Sequence, residues 1–224
     1  GLRLIITLFI TSLTFTTYAS DTSHKSAGTL IDSPQGKIYI DMKGSGTPVI
    51  IINGGPGSNH EVFQGWFDFV TQLGHSLVLF DDIGRGRSTL KVEGKYSPQM
   101  TVNDIESVRR HLNAEELIVV GHSYGGIPAM QYALQYPQHV SKLVMLNASY
   151  DAKSQQMNID HVNHFIQSSF PELWENLMGL RESGIVSSDD RFQNAMYRSE
   201  GIKQANWHNV ANRSKLLRVK PTDH

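Results

Sequence analysis

Hydrophobic residues in the first two thirds of the chain occur mainly in short continuous runs. Pro48–Ile52 and Ser76–Phe80 are rich in Val, Ile and Leu, which is the pattern of strands buried on both faces. Leu117–Val120 and Leu143–Leu146 repeat this pattern, and Lys37–Met42 resembles a further strand. Because a strand buried on both faces needs helices on each side, the pattern predicts helices between these strands.

Apolar residues at helical spacing fill the intervals between the strands. Between the first two buried strands they are Phe63, Trp66, Phe67, Val70 and Leu73. Thr101 and Asp104 resemble a capping box that opens a second helix, whose apolar stripe is Val102, Ile105, Val108 and Leu112. A third helix is predicted from Ser123 to about Gln135. This alternation predicts an α/β fold with a mainly parallel sheet and flanking helices, organised from near Gly36.

The composition changes after residue 150, where continuous Val and Ile runs give way to a polar sequence with helical patches. We expect a helical cap over 151–215 that lies across the sheet and roofs a site, because this segment is too polar for an independent core. The N-terminal part of the core is assigned to 36–150. The last residues, 216–224, are interpreted as the start of a C-terminal part of the core that this chain does not complete.

The beginning of the chain has the pattern of a targeting segment. Leu4–Phe15 is an apolar stretch between a basic residue and the small residue Ala19, and it is shorter than the roughly 20 residues of a spanning helix. This predicts a signal peptide over 1–19, cleaved before Ser20, with an uncleaved anchor as the alternative. We therefore expect an exported protein, periplasmic or extracellular, without stable membrane association after cleavage, in which 20–35 is a linker.

Composition excludes several kinds of protein. Hydrophobic residues make up 39% of the 224 residues, which is enough to bury a core. Twenty Lys and Arg against 21 Asp and Glu give a formal net charge of -1, so a nucleic-acid partner is not expected. The chain has no cysteine, so it forms no disulfide, thiolate metal site or cysteine nucleophile. Any nucleophile must be oxygen or nitrogen.

The strongest chemical signal is the sequence G-H-S-Y-G at 121–125, between a predicted strand and a predicted helix. This pattern is typical of a nucleophile elbow, in which a sharp turn holds a serine in a strained conformation and glycines leave room for it. Ser123 is the candidate nucleophile. The backbone N–H of Tyr124, at the start of the helix, would stabilise the oxyanion that forms during acyl transfer.

A second motif, N-G-G-P-G at 53–57, directly follows a buried strand. Its glycines allow the backbone to approach a substrate carbonyl closely, and the N–H of Gly54 or Gly55 is the natural second oxyanion donor. A nucleotide-binding loop is the competing interpretation. It fails because His60 stands where a dinucleotide fingerprint needs its third glycine, and no phosphate-binding G-x-x-x-x-G-K motif is present.

Three motifs together resemble the α/β-hydrolase fold superfamily and, within it, the prolyl-iminopeptidase-like serine hydrolases. The loop 53–57 is similar to the family's H-G-G-P-G with Asn53 in place of His, where Asn still donates and accepts hydrogen bonds. The turn 81–88 (DDIGRGRS) resembles the family's D-x-x-G-x-G-x-S, and 121–126 (GHSYGG) resembles its elbow. The resemblance covers about half of the chain and implies a structural role for Asp81.

The resemblance also implies a catalytic mechanism, and it indicates which catalytic residues are to be expected outside this chain. It implies acyl transfer on a small-molecule or short-peptide substrate, without metal or cofactor. In this fold the acid and then the histidine follow the cap, so we expect the triad acid and base outside this chain. Asp223 and His224 are interpreted as loop or truncation residues rather than as a compressed catalytic dyad. An iminopeptidase needs apolar walls for a proline ring and a carboxylate for the free amine, and Trp174 and Glu175 are the cap candidates, with an ordinary amphipathic helix as the alternative.

The ten histidines have simpler interpretations than catalysis. His122 is expected to pack beneath the elbow, pointing away from the nucleophile. His60 is expected to pack or to start a helix, with a substrate contact as the alternative. The spacing of His161 and His164 would suit a metal site, but no third ligand is evident, so a solvated polar face is the favoured interpretation.

Three functions remain open at this point. The first is an aminopeptidase that removes an N-terminal proline or a similar residue. The second is a carboxylesterase or lactonase with the same machinery. The third is a catalytically silent domain that binds small molecules.

Overall fold

The computed structural model describes residues 28–55, 58–91, 96–185 and 189–199. The chain divides into two compact units, with the boundary between Asp151 and Ala152. This boundary coincides with the change of composition in the sequence. The predicted signal peptide and the segment 216–224 lie outside the described residues.

In the described residues, the first unit is built on a seven-stranded sheet. Its strands are β1 (Thr29–Ser33), β2 (Gly36–Lys43), β3 (Thr47–Ile52), β4 (His75–Phe80), β5 (Thr89–Leu90), β6 (Leu117–His122) and β7 (Val140–Leu146). The strand order is β1-β2-β4-β3-β6-β7, and β5 pairs with β2. The pairs β3–β4, β3–β6 and β6–β7 are parallel, whereas β2 runs antiparallel to β1, β4 and β5. The α/β fold with a mainly parallel sheet is therefore confirmed in the middle of the sheet.

Continuous apolar runs form the central strands because both faces of the sheet are covered. Ile50, Ile51 and Ile52 of β3 are fully buried although neighbouring side chains of a strand point to opposite faces. Ile50 and Ile52 belong to a core cluster that includes Val102, Ile105 and Val108, whereas Ile51 packs in a second cluster with Phe63 and Val70. Each such side chain contributes about 1.5–3 kcal/mol through burial.

The first unit contains the helices α1 (Phe69–Gln72), α2 (Pro98–His111) and α3 (Gly126–Gln135). The predicted apolar stripe of α2 is confirmed by the complete burial of Val102, Ile105 and Val108. The predicted capping box is wrong, because α2 begins at Pro98 with Ser97 at the N-cap position. Proline suits the first position of a helix, where its missing N–H costs nothing.

Two further predictions need correction. The single helix expected around Phe63–Leu73 is a 3₁₀ turn (His60–Phe63) followed by the four residues of α1, because Gly65 between them has a φ of +81°. The linker predicted over 20–35 contains β1, which pairs with β2 through the register Ser33↔Gly36. In β1 only Ile31 among the apolar residues is buried, so its hydrophobic pattern is weak.

The second unit is helical, as the sequence predicts. It contains α4 (Ala152–Ser169), α5 (Pro171–Glu182) and α6 (Asp190–Arg198), and its small core is formed by Ile166, Leu177 and Phe192. Within the part of the chain that the structure describes, no helix combines the length and the apolar character that crossing a membrane requires. That this unit caps the sheet stays a prediction.

Candidate active site

Ser123 lies in the turn that joins β6 to α3. The strand ends at His122, a 3₁₀ turn covers Ser123–Gly125, and α3 begins at Gly126. Ser123 has a φ of +53°, in the left-handed region that costs a side-chain-bearing residue on the order of 1–3 kcal/mol. Its carbonyl oxygen accepts a hydrogen bond from the backbone N–H of Ser149 at 3.0 Å. The strand, turn and helix thus place a strained serine at the carboxyl end of a central parallel strand.

The two flanking glycines are required by packing. A Cβ added to Gly125 would lie 2.5 Å from the carbonyl oxygens of both Ile52 and Asn53. A Cβ on Gly121 would lie 2.7 Å from the Cα of Gly126. Contacts this short are not found in real structures, so the turn packs against the end of β3 only because these side chains are absent.

The glycine-rich loop after β3 lies directly against the turn. A Cβ on Gly54 would be 3.0 Å from the Cβ of Ser123 and 2.9 Å from Nδ1 of His122. Gly55 follows in an exposed position with a φ of +115°, which a side-chain-bearing residue avoids. The structure therefore brings Gly54 and Ser123 together, as the two motifs predict. The oxyanion donors Tyr124, Gly54 and Gly55 remain predictions, and Pro56 and Gly57 lie outside the described residues.

Asn53 connects the end of β3 to the end of β4. Its side chain is buried, and Nδ2 donates a hydrogen bond to the carbonyl oxygen of Phe80 at 2.7 Å. Its Oδ1 is buried without a hydrogen-bond partner in the described part of the chain. Asn53 thus joins the ends of the two neighbouring strands through a buried hydrogen bond.

Asp81 organises the two loops that surround the site. Its Oδ1 accepts from the backbone N–H of His60 at 2.7 Å and lies 2.8 Å from Nδ1 of the same histidine. Its Oδ2 accepts from the backbone N–H of Arg87 at 2.8 Å, and its carbonyl oxygen accepts from Oγ of Ser88 at 2.7 Å. A Cβ on Gly86 would lie 2.3 Å from Oδ2 of Asp81, so the turn closes tightly around the carboxylate. The structural role that the resemblance implies for Asp81 fits these contacts.

A second pair of carboxylates lies next to Asp81, and the sequence motifs did not reveal it. Burial raises the pKa of Asp82 to about 7, and the negative charges of Asp104 and Asp81 add to this effect. Burial also raises the pKa of Asp104 to about 7, although hydrogen bonds from the N–H of Ile83 and the hydroxyl of Ser33 act in the opposite direction. The charge of Asp82 in turn contributes to a raised pKa of Tyr124, after burial.

Two histidines of the first unit, His60 and His122, pack against aromatic rings near the turn. His122 contacts Phe63 edge to face, with ring centroids 5.2 Å apart, and burial lowers its pKa. His60 is 1% exposed, with its ring 4.8 Å from that of Tyr39. The possible substrate contact of His60 is therefore not what this structure shows, because Asp81 and Tyr39 enclose the ring.

The predicted cap residues lie on α5 in the second unit. Trp174 is partly buried against the core of its own unit, and Glu175 is exposed. His161 and His164, for which a solvated polar face is predicted, are exposed on α4. Across the described ranges, no three His, Cys, Asp or Glu side chains converge as metal ligands would.

The two arginines of the glycine-rich turn are engaged by aromatic rings of the same unit. The guanidinium of Arg85 lies 4.4 Å from the ring centroid of Tyr96. That of Arg87 lies over the ring of Tyr39 and donates to its hydroxyl at 2.8 Å. These contacts add a cation–π attraction that helps to hold the turn.

The parallel sheet, the strained serine turn and the glycine-rich loop define a hydrolase fold. The chain belongs to the alpha/beta hydrolase fold family, whose model matches residues 47–183. It is 31% identical over 119 residues to the proline iminopeptidase of Lactiplantibacillus plantarum, covering 52% of this chain and 42% of that protein. It is 32% identical over 124 residues to the proline iminopeptidase of Elizabethkingia meningoseptica, with the same coverage. The chain thus spans about two fifths of the length of these relatives.

Solved structures show the same fold. An esterase from Exiguobacterium antarcticum is similar with a TM-score of 0.52 and 26% identity, over 69% of this chain and 60% of that one. VinJ gives a TM-score of 0.67 at 21% identity, over 85% and 67% of the two chains. The proline iminopeptidase of Mycobacterium smegmatis gives 0.60 at 17% identity, over 88% and 69%. The last two similarities concern the fold alone.

Proposed function

We propose that the whole protein is a serine hydrolase in which Ser123 attacks a substrate carbonyl. The observation that carries this proposal is the strained φ of Ser123 in a turn packed against Gly54. Such strain persists only where the surrounding structure imposes it, and it is concentrated at functional sites. The backbone N–H of Tyr124 and that of Gly54 or Gly55 would hold the oxyanion, and the start of α3 would add its dipole.

The proton of Ser123 would be taken by a histidine from outside this chain. His60 and His122, the histidines nearest to the motifs, are already held by Asp81 and Phe63. The Ser–His–Asp arrangement needs a base within hydrogen-bond reach of the serine, oriented by an acid. We therefore propose that the acid and base belong to sequence that follows the second unit. No metal or cofactor enters this mechanism.

The favoured substrate class is a peptide with a free N-terminal residue such as proline. The identity of about 30% to proline iminopeptidases over half of the chain supports this choice. A carboxylesterase or lactonase is the second candidate, supported by the similarity to the Exiguobacterium antarcticum esterase. A catalytically silent binding domain is the third, and it is the outcome if Ser123 proves unreactive.

Labelling tests the nucleophile. In the protein expressed from its complete reading frame, a fluorophosphonate should modify Ser123, and Ser123→Ala should abolish both labelling and turnover. Ser168→Ala is the matched control, since its exposed hydroxyl bonds to the backbone of α4, and it should change neither. Hydrolysis that persists in Ser123→Ala would overturn the assignment.

Substrate pairs separate the peptidase from the esterase. A buried ammonium group needs a carboxylate partner, so a true aminopeptidase should cleave proline-naphthylamide much faster than its N-acetylated form. Glu175→Gln should weaken only the free-amine substrate, whereas Glu182→Gln, another exposed acid of α5, should not. Equal rates on both naphthylamides, or a preference for a short-chain nitrophenyl ester, would favour the esterase.

We further propose that residues 1–19 direct export. The apolar stretch of that segment supports this proposal. N-terminal sequencing of the protein recovered outside the cytoplasm should begin at Ser20. A mature protein that keeps the apolar stretch would indicate the uncleaved anchor instead.

A further inference from the structure

We propose that His60 and Asp81 form a buried clamp that positions the loop after β3 for catalysis, acting as positioning residues rather than contacting substrate. This inference rests on the proposed serine-hydrolase function and adds to it two residues that determine the rate of the chemical step. It starts from a polar contact between two side chains that are almost completely buried. His60 is 1% exposed and Asp81 is 0% exposed.

The clamp fixes His60 at two points with one oxygen atom. Oδ1 of Asp81 lies 2.7 Å from the backbone nitrogen of His60 and 2.8 Å from Nδ1 of its ring. The main chain and the side chain of His60 are therefore held together, and neither moves without breaking a buried hydrogen bond. A buried acceptor that loses its donor costs on the order of 1–3 kcal/mol, so the arrangement resists displacement.

The segment that the clamp holds is the continuation of the glycine-rich loop. His60 begins the 3₁₀ turn His60–Phe63, and the side chain of Asn59 caps this turn by accepting from the N–H of Glu61 at 3.0 Å. Asp81 itself directly follows β4, the neighbour of β3 in the sheet. The clamp thus ties the loop after one parallel strand to the end of the adjacent strand.

A series of contacts connects the clamp to the site. Phe63, at the end of the 3₁₀ turn, packs edge to face on His122, whose Nδ1 would be 2.9 Å from a Cβ on Gly54. Gly54 in turn lies against Ser123. A displacement of His60 would therefore be transmitted through Phe63 and His122 to the loop that is proposed to hold the oxyanion. A shift of about 1 Å in such a position reduces rates on the order of 100-fold.

The other side of the carboxylate limits how the clamp could adjust. Oδ2 of Asp81 accepts from the backbone N–H of Arg87 and faces Gly86, where even a methyl group would not fit. The carboxylate is held from both sides and does not follow a displaced His60. Nε2 of His60 is buried without a hydrogen-bond partner in the described residues, so the contact through Nδ1 is the one that orients the ring.

Three variants test the clamp in the protein expressed from its complete reading frame. His60→Leu keeps a side chain of similar volume but removes the ring donor to Asp81, while the backbone N–H of residue 60 can still donate to it. His60→Asn places an amide donor near the position of Nδ1 and should restore the bond. We expect kcat to fall at least 10-fold in His60→Leu with KM changed less than 3-fold, and to recover to within about 3-fold of wild type in His60→Asn. Phe63→Leu breaks the next contact in the series and should also lower kcat.

A control separates positioning from loss of stability. Tyr132→Phe removes a buried hydrogen bond to Glu106 in the core, at a site without contact to the clamp, and should lower the unfolding temperature without changing kcat per folded molecule. Rates are measured well below the unfolding temperatures and normalised by fluorophosphonate titration of Ser123. If His60→Leu does not fold, His60→Gln provides the test, because its amide reaches the position of Nε2 and leaves Asp81 without the ring donor at Nδ1; kcat should fall as predicted for His60→Leu.

The outcomes distinguish this inference from the proposed function. If wild-type turnover depends on Ser123 but His60→Leu and Phe63→Leu keep the wild-type kcat, the clamp is overturned and the function stands. A failure of His60→Asn to restore a kcat lost in His60→Leu also contradicts the hydrogen-bond argument. If the wild-type protein shows no Ser123-dependent turnover, the proposed function falls and the clamp falls with it.

Discussion

Asp104 makes the stability of the fold depend on pH in a direction opposite to that of most carboxylates. Its side chain is fully buried on α2, where Oδ2 accepts from the N–H of Ile83 at 2.9 Å and Oδ1 from the hydroxyl of Ser33 at 3.0 Å. Burial outweighs these bonds and raises the pKa to about 7 from the ordinary 3.8. Folding therefore favours the protonated acid.

The sign and size of the effect follow from this difference. A carboxyl group with a raised pKa in the folded state contributes full stability below pH 4, and the contribution is lost as the pH rises to about 7. At about 1.4 kcal/mol per pKa unit, the loss amounts to roughly 4 kcal/mol. Asp104→Asn removes the charge but keeps an acceptor for Ile83 and a donor for Ser33. The variant should match wild type near pH 4 and exceed its unfolding free energy by about 2–4 kcal/mol at pH 8.

Urea unfolding followed by tryptophan fluorescence at pH values between 4.5 and 8 measures this difference. Titrating histidines affect both proteins alike, so the difference between wild type and variant reports the loss of the Asp104 charge, including its effect on the neighbouring Asp82. Asp32→Asn serves as a control, because Asp32 is exposed beside Lys37 and its pKa is lowered by that lysine. A variant that is less stable than wild type at pH 8, or one with the same pH dependence, would refute the burial argument.

Further predictions concern the elbow and the core. Gly125→Ala should destabilise the fold by about 1–3 kcal/mol, because the added Cβ would meet two carbonyl oxygens. Gly179→Ala, at an open position in a helix, should instead stabilise the fold by about 1 kcal/mol. Chemical denaturation measures both free energies of unfolding, and equal effects of the two substitutions would contradict the packing analysis. Ser123→Gly should be about 1 kcal/mol more stable than Ser123→Ala, since only glycine tolerates a φ of +53° without strain, and a reversed order in thermal unfolding would show that the turn is relaxed. Glu106→Gln should cost about 3 kcal/mol by leaving Arg109 short of a charged partner at a buried position, and an unchanged urea midpoint would contradict this.

Strands buried on both faces were predictable because a continuous apolar run is visible in the local sequence, without knowledge of the strands that pair with it. β3 and β4 extend only one residue beyond the runs at Pro48–Ile52 and Ser76–Phe80. β1 was missed because one buried isoleucine gives no periodic signal, and its stability comes from pairing with β2. The start of α2 was placed at Thr101 although Pro98 was the better signal.

In the candidate site, too, some contacts were predictable from the sequence and others were not. Local motifs predicted that Gly54 and Ser123 would meet, because each motif includes the turn that positions it. The bonds from His60 to Asp81 and from Ser33 to Asp104 join residues far apart in the sequence, and no local pattern encodes them. Raised pKa values at Asp82 and Asp104 depend on burial, which only the tertiary structure determines.

Because Gly125 packs directly on the carbonyl oxygens of Ile52 and Asn53, we expect the elbow to form late in folding. The contact requires β6 to be paired with β3, and both β4 and α2 lie between these strands along the chain. Such non-local pairing is slow, because a large loop must close before its contacts form. During refolding, the reactivity of Ser123 should therefore appear later than the circular-dichroism signal of the helices and together with the pairing of β3 and β6. The rate of covalent labelling of the serine would then measure the rate of this late folding step.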